Sequence, residues 1–163
     1  MRKYSIRKAA EGDAAGMAAL DRRCFSSPWS FEAFESEITR NKLAYYLVCV
    51  EGAELVGYAG LWVIAPEGHV TNVAVRPEAR RRGLGARLMS ELMRRTRGRF
   101  GLTEFTLEVR VSNFKAIRMY EKLGFVMAGR RKGYYADTGE DAMIMWRMPE
   151  PTRDEAGATR GDE

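Results

Sequence analysis

The sequence is poor in the residues that build metal centres and covalent cross-links. It has two cysteines, Cys24 and Cys49, and one histidine, His69. They show no ligand spacing for a structural zinc site, so no metal is expected. Two thiols also fall short of a secreted disulfide framework, which points to a reducing, cytoplasmic setting. No early apolar run resembles a signal peptide, and none is long enough to span a bilayer, so no membrane partner is expected. There is no internal repeat and no Gly-Lys-Ser/Thr of a Walker-type phosphate loop. Gly83-Leu84-Gly85 lacks the third glycine and downstream acid of a dinucleotide fold. An aromatic strand motif of the kind that stacks RNA bases is missing as well, so direct nucleic-acid binding is not expected.

What the chain does have is charge, unevenly spread. Its 163 residues fit one domain. The net charge of +5 divides into −3 from Pro149 onward, where five acids meet two bases, and +8 over residues 1–148. Residues 1–148 read as the folded domain, and 149–163 as a disordered acidic tail rich in Gly and charge. A basic body suits an anionic small molecule, but also RNA or a ribosome surface.

The hydrophobic pattern predicts the elements in turn. Tyr4 to Lys8 alternates as an opening strand, and Asp13 is placed to cap a helix from Ala14 to about Arg23 with Met17 and Leu20 inward. Ser30 is expected to cap a second helix carrying Phe31, Phe34 and Ile38 on one face. Strands follow at Ala44–Val50 and Leu55–Ile64, the latter apolar enough to be buried on both sides. Phe105 to Val111 has period-two order, with Thr106, Glu108 and Arg110 on the polar face. Ser112-Asn113 caps a short helix stopped by Gly124, and a terminal hairpin turns around Ala136-Asp-Thr-Gly139. The resulting order, β-α-α-β-β-β-α-β-α-β-β, is an α/β fold with a mixed sheet.

The segment from His69 to Gly85 organises the rest. Val70–Val75 is a β-branched strand, ended by Pro77, and Leu84, Leu88, Met89, Leu92 and Met93 recur at helical spacing afterwards. Between them lie Arg80-Arg81-Arg82-Gly83. A helix start offers free N–H groups and partial positive charge to a phosphate, and glycines let it approach the backbone. An arginine run alone is also what a solvated turn looks like.

Arg80-x-x-Gly83-x-Gly85, opening a helix after a strand, resembles the acetyl-CoA signature of the GNAT superfamily. Three further stretches agree in order: Leu107-Glu-Val-Arg-Val-Ser-Asn113, Ile117-Arg-Met-Tyr-Glu-Lys-Leu-Gly-Phe125 and Gly133-Tyr-Tyr-Ala-Asp137. Together they are similar to the ribosomal-protein alanine N-acetyltransferases (RimI type) and to the archaeal and eukaryotic N-terminal acetyltransferase catalytic subunits, over roughly residues 4 to 148. The resemblance implies the GNAT fold: a mixed, mostly antiparallel sheet splayed at its central strands, with helices on both faces. It implies acetyl-CoA as cosubstrate and a protein N-terminus, of a ribosomal protein among others, as acceptor.

Site residues follow from the same matches. Arg80, Arg81, Arg82, Gly83, Leu84, Gly85 and Ala86 would hold the CoA pyrophosphate, and the backbone of Val73, Ala74 and Val75 the pantetheine. The Val73 N–H would polarise the acetyl carbonyl, and Asn113 would contact CoA while capping its helix. Acetyl transfer needs a neutral amine and a stabilised leaving thiolate. Glu108 matches the base position, acting through a water, and Tyr120 the donor to sulfur. Read from pattern alone, Glu108 is a surface residue and Tyr120 a packing aromatic. Trp29, Tyr134 and Tyr135 match the loops that the peptide approaches, and His69 is read as a lining residue, with a role as second base the lesser option. Two other readings stay open: a lysine or small-amine acetyltransferase using the same cosubstrate, and a basic RNA- or ribosome-binding module.

Overall fold

A computed structural model describes residues 3–149. Seven strands and four helices form one mixed sheet with helices on both faces: β1 (Tyr4–Lys8), α1 (Ala14–Cys24), α2 (Phe31–Thr39), β2 (Ala44–Glu51), β3 (Glu54–Ile64), β4 (Glu67–Val75), α3 (Leu84–Phe100), β5 (Glu104–Arg110), α4 (Phe114–Lys122), β6 (Val126–Tyr135) and β7 (Glu140–Arg147). The strand order is β1-β2-β3-β4-β5-β7-β6. All neighbours run antiparallel except β4 and β5. The expected element order and the splayed sheet are both present.

The helices dock where their apolar stripes point. On one face Leu84, Leu88, Met89, Leu92 and Met93 of α3 and Ile117 and Tyr120 of α4 pack on Leu47, Leu61, Phe105, Leu107 and Val109. On the other, Met17 and Leu20 of α1 and Phe34 of α2 meet Tyr46, Val48 and Tyr58. Each large apolar side chain so removed from water contributes about 1.5–3 kcal/mol. Residues 56–61 of β3 are buried without interruption between the two layers, as a near-continuous apolar run requires.

Two local expectations are corrected. Asp13 makes no side-chain bond to the start of α1. Its carboxylate instead takes two bonds from Arg7 (2.7 and 2.9 Å) and one from the Ala10 N–H (2.7 Å), bracing the short 3-10 turn ahead of the helix. An arginine one strand away outcompetes the helix amides. Phe31 does not share the inward face of Phe34: it is 41% exposed while Phe34 is fully buried. Ser30 does cap α2, accepting from the Ala33 N–H at 3.1 Å.

The seam between β4 and β5 positions the site. Their parallel pairing covers only Glu67–Glu104, Gly68–Phe105 and His69–Thr106. Beyond it, β4 stays paired to β3 as far as Val75, and β5 to β7 as far as Arg110. The sheet therefore opens into a V. The β3–β4 register also slips, pairing Gly60 with Asn72 and Leu61 with Val70, which leaves Thr71 as an extra, bulged residue. Polar side chains fill in beneath it. Thr71 Oγ1 donates to the Gly60 carbonyl (3.2 Å) and lies 2.7 Å from the Tyr46 hydroxyl, and Asn72 Nδ2 donates to the Tyr58 hydroxyl (2.7 Å). The Tyr46 ring crosses the spot where a Cβ on Gly60 would sit, 2.1 Å away, so only glycine fits there.

Candidate active site

The open V is the floor of a cleft of about 1430 Å³. Its lining includes Val73–Val75 of β4, Glu108–Arg110 of β5, the loop and first turn of α3, Asn113 to Leu123 around α4, the α1–α2 loop and Tyr135. Of the residues singled out in the sequence, it gathers Trp29, Val73, Ala74, Val75, Arg80, Arg81, Gly83, Leu84, Gly85, Ala86, Glu108, Asn113, Tyr120 and Tyr135.

The α3 end of the cleft is built from backbone. Gly83 at φ 72° and Arg81 at φ 67° turn the chain from strand to helix through left-handed conformations. Two of the other helices begin under a side-chain cap, Ser30 for α2 and Asn113 for α4. No side chain caps α3, whose first intrahelical bond is Arg87 N to Gly83 O at 3.0 Å. The amides of Leu84, Gly85 and Ala86 are left to an outside acceptor, at the positive end of a 17-residue helix. A Cβ on Gly85 would lie 3.0 Å from Met119 Sδ on α4, so that side chain would have to give way by a few tenths of an ångström.

The arginines divide their work. Arg80 Nε donates to the Val75 carbonyl (3.0 Å), tying the loop to the end of β4. Arg82 turns away from the cleft to the Tyr4 hydroxyl and ring. On the facing helix Lys115, Arg118 and Lys122 line the cleft at helical spacing. That basic stripe is visible in the sequence as Lys115-x-x-Arg118-x-x-x-Lys122 and was not singled out there.

Glu108 and Tyr120 reach the same cavity from the strand and the helix. The Glu108 side chain is 32% exposed, with the Arg131 guanidinium 3.8 Å away. Thr106, on the same face of β5, is buried and donates to the Met145 carbonyl (3.0 Å). Tyr120 is only 8% exposed and meets Phe125 edge-on at 5.8 Å, so it packs the core and lines the cleft at once. Burial, then the nearby Tyr135, pushes its hydroxyl well above the ordinary tyrosine range.

The opposite end is built from side chains. Asp21, buried at the end of α1, accepts from the Trp29 N–H (2.8 Å) and from the Tyr58 hydroxyl, fixing the α1–α2 loop. Desolvation raises its pKa while those two hydrogen bonds lower it. Tyr135 lies under the Arg110 guanidinium at 4.0 Å, and burial pushes its hydroxyl up to about 12 against the pull of that cation. Tyr134 stands perpendicular to Tyr135 at 5.1 Å and is 47% exposed, outside the cleft lining. His69 is outside it as well, 2.6 Å from Glu67 and edge-on to Trp146. The sequence pattern gives Asp21, Ser26, Arg110 and Asp137 no part in the site; Ser26, Arg110 and Asp137 meet only through the fold.

Among the described residues no group of His, Cys, Asp and Glu is arranged to hold a metal ion, and no helix is long and apolar enough to cross a membrane.

Comparison with known proteins agrees with the fold. Residues 14–125 match the model of the acetyltransferase (GNAT) family. The Escherichia coli (strain K12) [ribosomal protein bS18]-alanine N-acetyltransferase is 36% identical over 128 residues, covering 77% of this chain and 84% of that protein. The N-alpha-acetyltransferase of Saccharolobus solfataricus is 32% identical over 158 residues, covering 90% and 93%. The crystal structure of the Escherichia coli ribosomal-protein-S18-alanine N-acetyltransferase superposes with a TM-score of 0.83 at 30% identity, covering 92% of this chain and 96% of that one. By the family model over residues 14–125 and by these relatives, the chain belongs to the acetyltransferase (GNAT) family.

Proposed function

We propose that the protein transfers the acetyl group of acetyl-CoA to the α-amine of a protein N-terminus, with alanine as the acceptor residue and a ribosomal protein as its source. The single observation that carries this reading is the parting of β4 from β5. It puts a partly exposed carboxylate, a buried phenol and an uncapped helix start into one cavity. The relatives named for N-terminal acetylation supply the substrate class.

The residues present fit acetyl-CoA, which supplies the activated acetyl group. The Leu84–Ala86 amides and Arg81, with Lys115, Arg118 and Lys122 across the cleft, would hold its phosphates. The exposed edge of β4 at Val73–Val75 offers backbone donors and acceptors to the pantetheine, and the Val73 N–H is the one assigned to the acetyl carbonyl. Asn113 borders the same channel while capping α4.

An N-terminal amine has a pKa of about 7.7–8.0, so near neutrality one carboxylate working through water is enough to remove its proton; a lysine at about 10.4 asks for far more. Glu108 is that carboxylate. Tyr120 holds its proton more tightly than an ordinary tyrosine. It is therefore a weaker acid than a thiol at about 8.5, and it serves the departing sulfur as a hydrogen-bond donor, handing over no proton of its own. Trp29 and Tyr135 flank the acceptor side of the cleft.

The test uses two versions of one short peptide, one with a free N-terminal alanine and no lysine, the other N-blocked with an internal lysine. Mass spectrometry is expected to find acetyl only on the first. Faster labelling of the blocked, lysine-bearing peptide would replace this reading with the lysine alternative.

A further inference from the structure

The acceptor side of the cleft is crossed by a polar bridge. Ser26, in the α1–α2 loop, donates from Oγ to Asp137 Oδ2 at 2.8 Å, joining residues 111 positions apart in the chain. Asp137 sits in the β6–β7 turn and is gripped by both carboxylate oxygens from Arg110 Nη2 on β5, at 3.0 and 2.8 Å. Arg110 Nη1 also donates to Thr138 Oγ1 (3.1 Å) and lies 3.7 Å from Glu140 Oε2. One face of the same guanidinium covers the Tyr135 ring at 4.0 Å. Ser26, Arg110 and Tyr135 all line the cleft.

The loop is also anchored at its far side. Asp21 holds the Trp29 amide and Ser30 caps α2, so the short stretch Phe25–Pro28 is pinned at both ends and tied across its middle to the hairpin. The two structures on either side of an incoming acceptor are therefore set by one arginine–carboxylate pair. Charge-assisted hydrogen bonds of this kind are stronger than neutral ones, and Arg110 adds a second anchor on the same turn through Nη1 and Thr138. Arg110 pulls the Asp137 carboxyl below its usual range, and the Ser26 hydroxyl adds to that, so the bridge is ionised across the neutral range.

We infer that Arg110 and Asp137, through Ser26, are positioning residues for the acceptor, clasping the α1–α2 loop to the β6–β7 turn so that the incoming amine and its first backbone units are held against the catalytic floor and bulk water is kept off it. The inference rests on the proposed function for the identity of the acceptor and on the geometry alone for the clasp. Arg110 touches neither reacting atom in this scheme; it acts through Tyr135 and Asp137.

The experiment compares the full-length parent with Ser26→Ala, Asp137→Ala and Ser26→Thr, using the lysine-free peptide with a free N-terminal alanine. Ser26→Ala and Asp137→Ala are expected to raise the peptide KM by about fivefold or more, the range of coupled side-chain pairs, while the acetyl-CoA KM stays at the parental value. With no peptide present, they are expected to hydrolyse acetyl-CoA faster, because water enters the opened side. Ser26→Thr keeps the hydroxyl and is expected to restore the parental peptide KM. Amide hydrogen exchange over residues 25–29 reads the clasp independently of turnover, and is expected to speed up in Asp137→Ala. Unchanged exchange there, with a peptide KM within twofold of the parent in both alanine variants, would overturn the clasp. A parent that leaves the alanine peptide unmodified would instead overturn the proposed acceptor, and the exchange measurement would still decide the clasp.

Discussion

The two ends of the cleft are made by different physics. The end around α3 is mostly backbone: a left-handed glycine, an uncapped helix start and a strand edge, supplemented by cationic side chains around the rim. The other end is built mainly from side chains, with Asp21 and Ser26, Arg110, and Tyr135 and Asp137 drawn from three separate regions of sequence. A backbone site can be spoiled by adding atoms but hardly by trimming one side chain. A side-chain network fails when any hub is trimmed. Substitutions in the two regions are therefore expected to show opposite sensitivities.

The largest effect is expected at the floor between them. Glu108→Gln keeps the shape but cannot accept a proton, and turnover is expected to fall by ~10²-fold or more with little change in acetyl-CoA affinity. Near-parental turnover would move the base elsewhere. Gly83→Val tests the backbone end. No heavy atom stands within 4 Å of its Cβ site, so the cost comes from φ 72°, which a β-branched residue resists. Calorimetry is expected to show acetyl-CoA binding weakened by about tenfold or more, roughly the 1–3 kcal/mol of a strained backbone. Trimming the rim is expected to matter less. Arg118→Ala is expected to weaken binding about two- to threefold at low salt and to approach the parent at high salt, as exposed charges do.

The smallest expected effect is a flat line. Because burial raises the Tyr120 pKa, its proton is retained throughout the range below the ordinary value of 10. The raised value also means that the fold's preference for the neutral phenol is fully present below pH 10 and is lost only as pH climbs through the higher, folded-state value. A kcat profile measured to pH 9 is expected to show no alkaline limb that disappears in Tyr120→Phe. Such a limb would show that the phenol ionises in the working range.

The same contrast decides what could be read from sequence. Residues 73–86 carry strand, loop and helix start in one unbroken run, and Asn113 to Tyr120 lie on one helix with its cap, so local pattern locates the α3 end. Arg110 and Asp137 come together where β7 lies between β5 and β6, Ser26 reaches them from the α1–α2 loop, and no spacing in the chain announces that. His69 drew attention by being the only histidine, yet its place in the β4–β5 seam turns it toward Glu67 and Trp146. Asp13 had the right residue type for a cap, and an arginine on β1 claimed it. Phe31 fitted the helical spacing, but α2 is a nine-residue surface helix whose inward face has room for little beyond Phe34.

The brevity of the β4–β5 pairing has a further consequence, for how the chain can be cut. Up to Phe100 the strands are joined in order, each to the one before it. From Glu104 onward, β5, β7 and β6 form a second ladder of their own. Most backbone bonds in each piece are thus made within the piece, while the apolar core spans both, with Leu88 and Leu92 on one side and Phe105, Leu107 and Met145 on the other. Gly101, exposed and left-handed at the end of α3, is the natural cutting point. Split there, one polypeptide carries the phosphate loop and the other carries Glu108 and Tyr120, so neither is competent by itself. Fused to two proteins that associate, the halves would make a reporter whose acetylation signal appears only when its carriers meet.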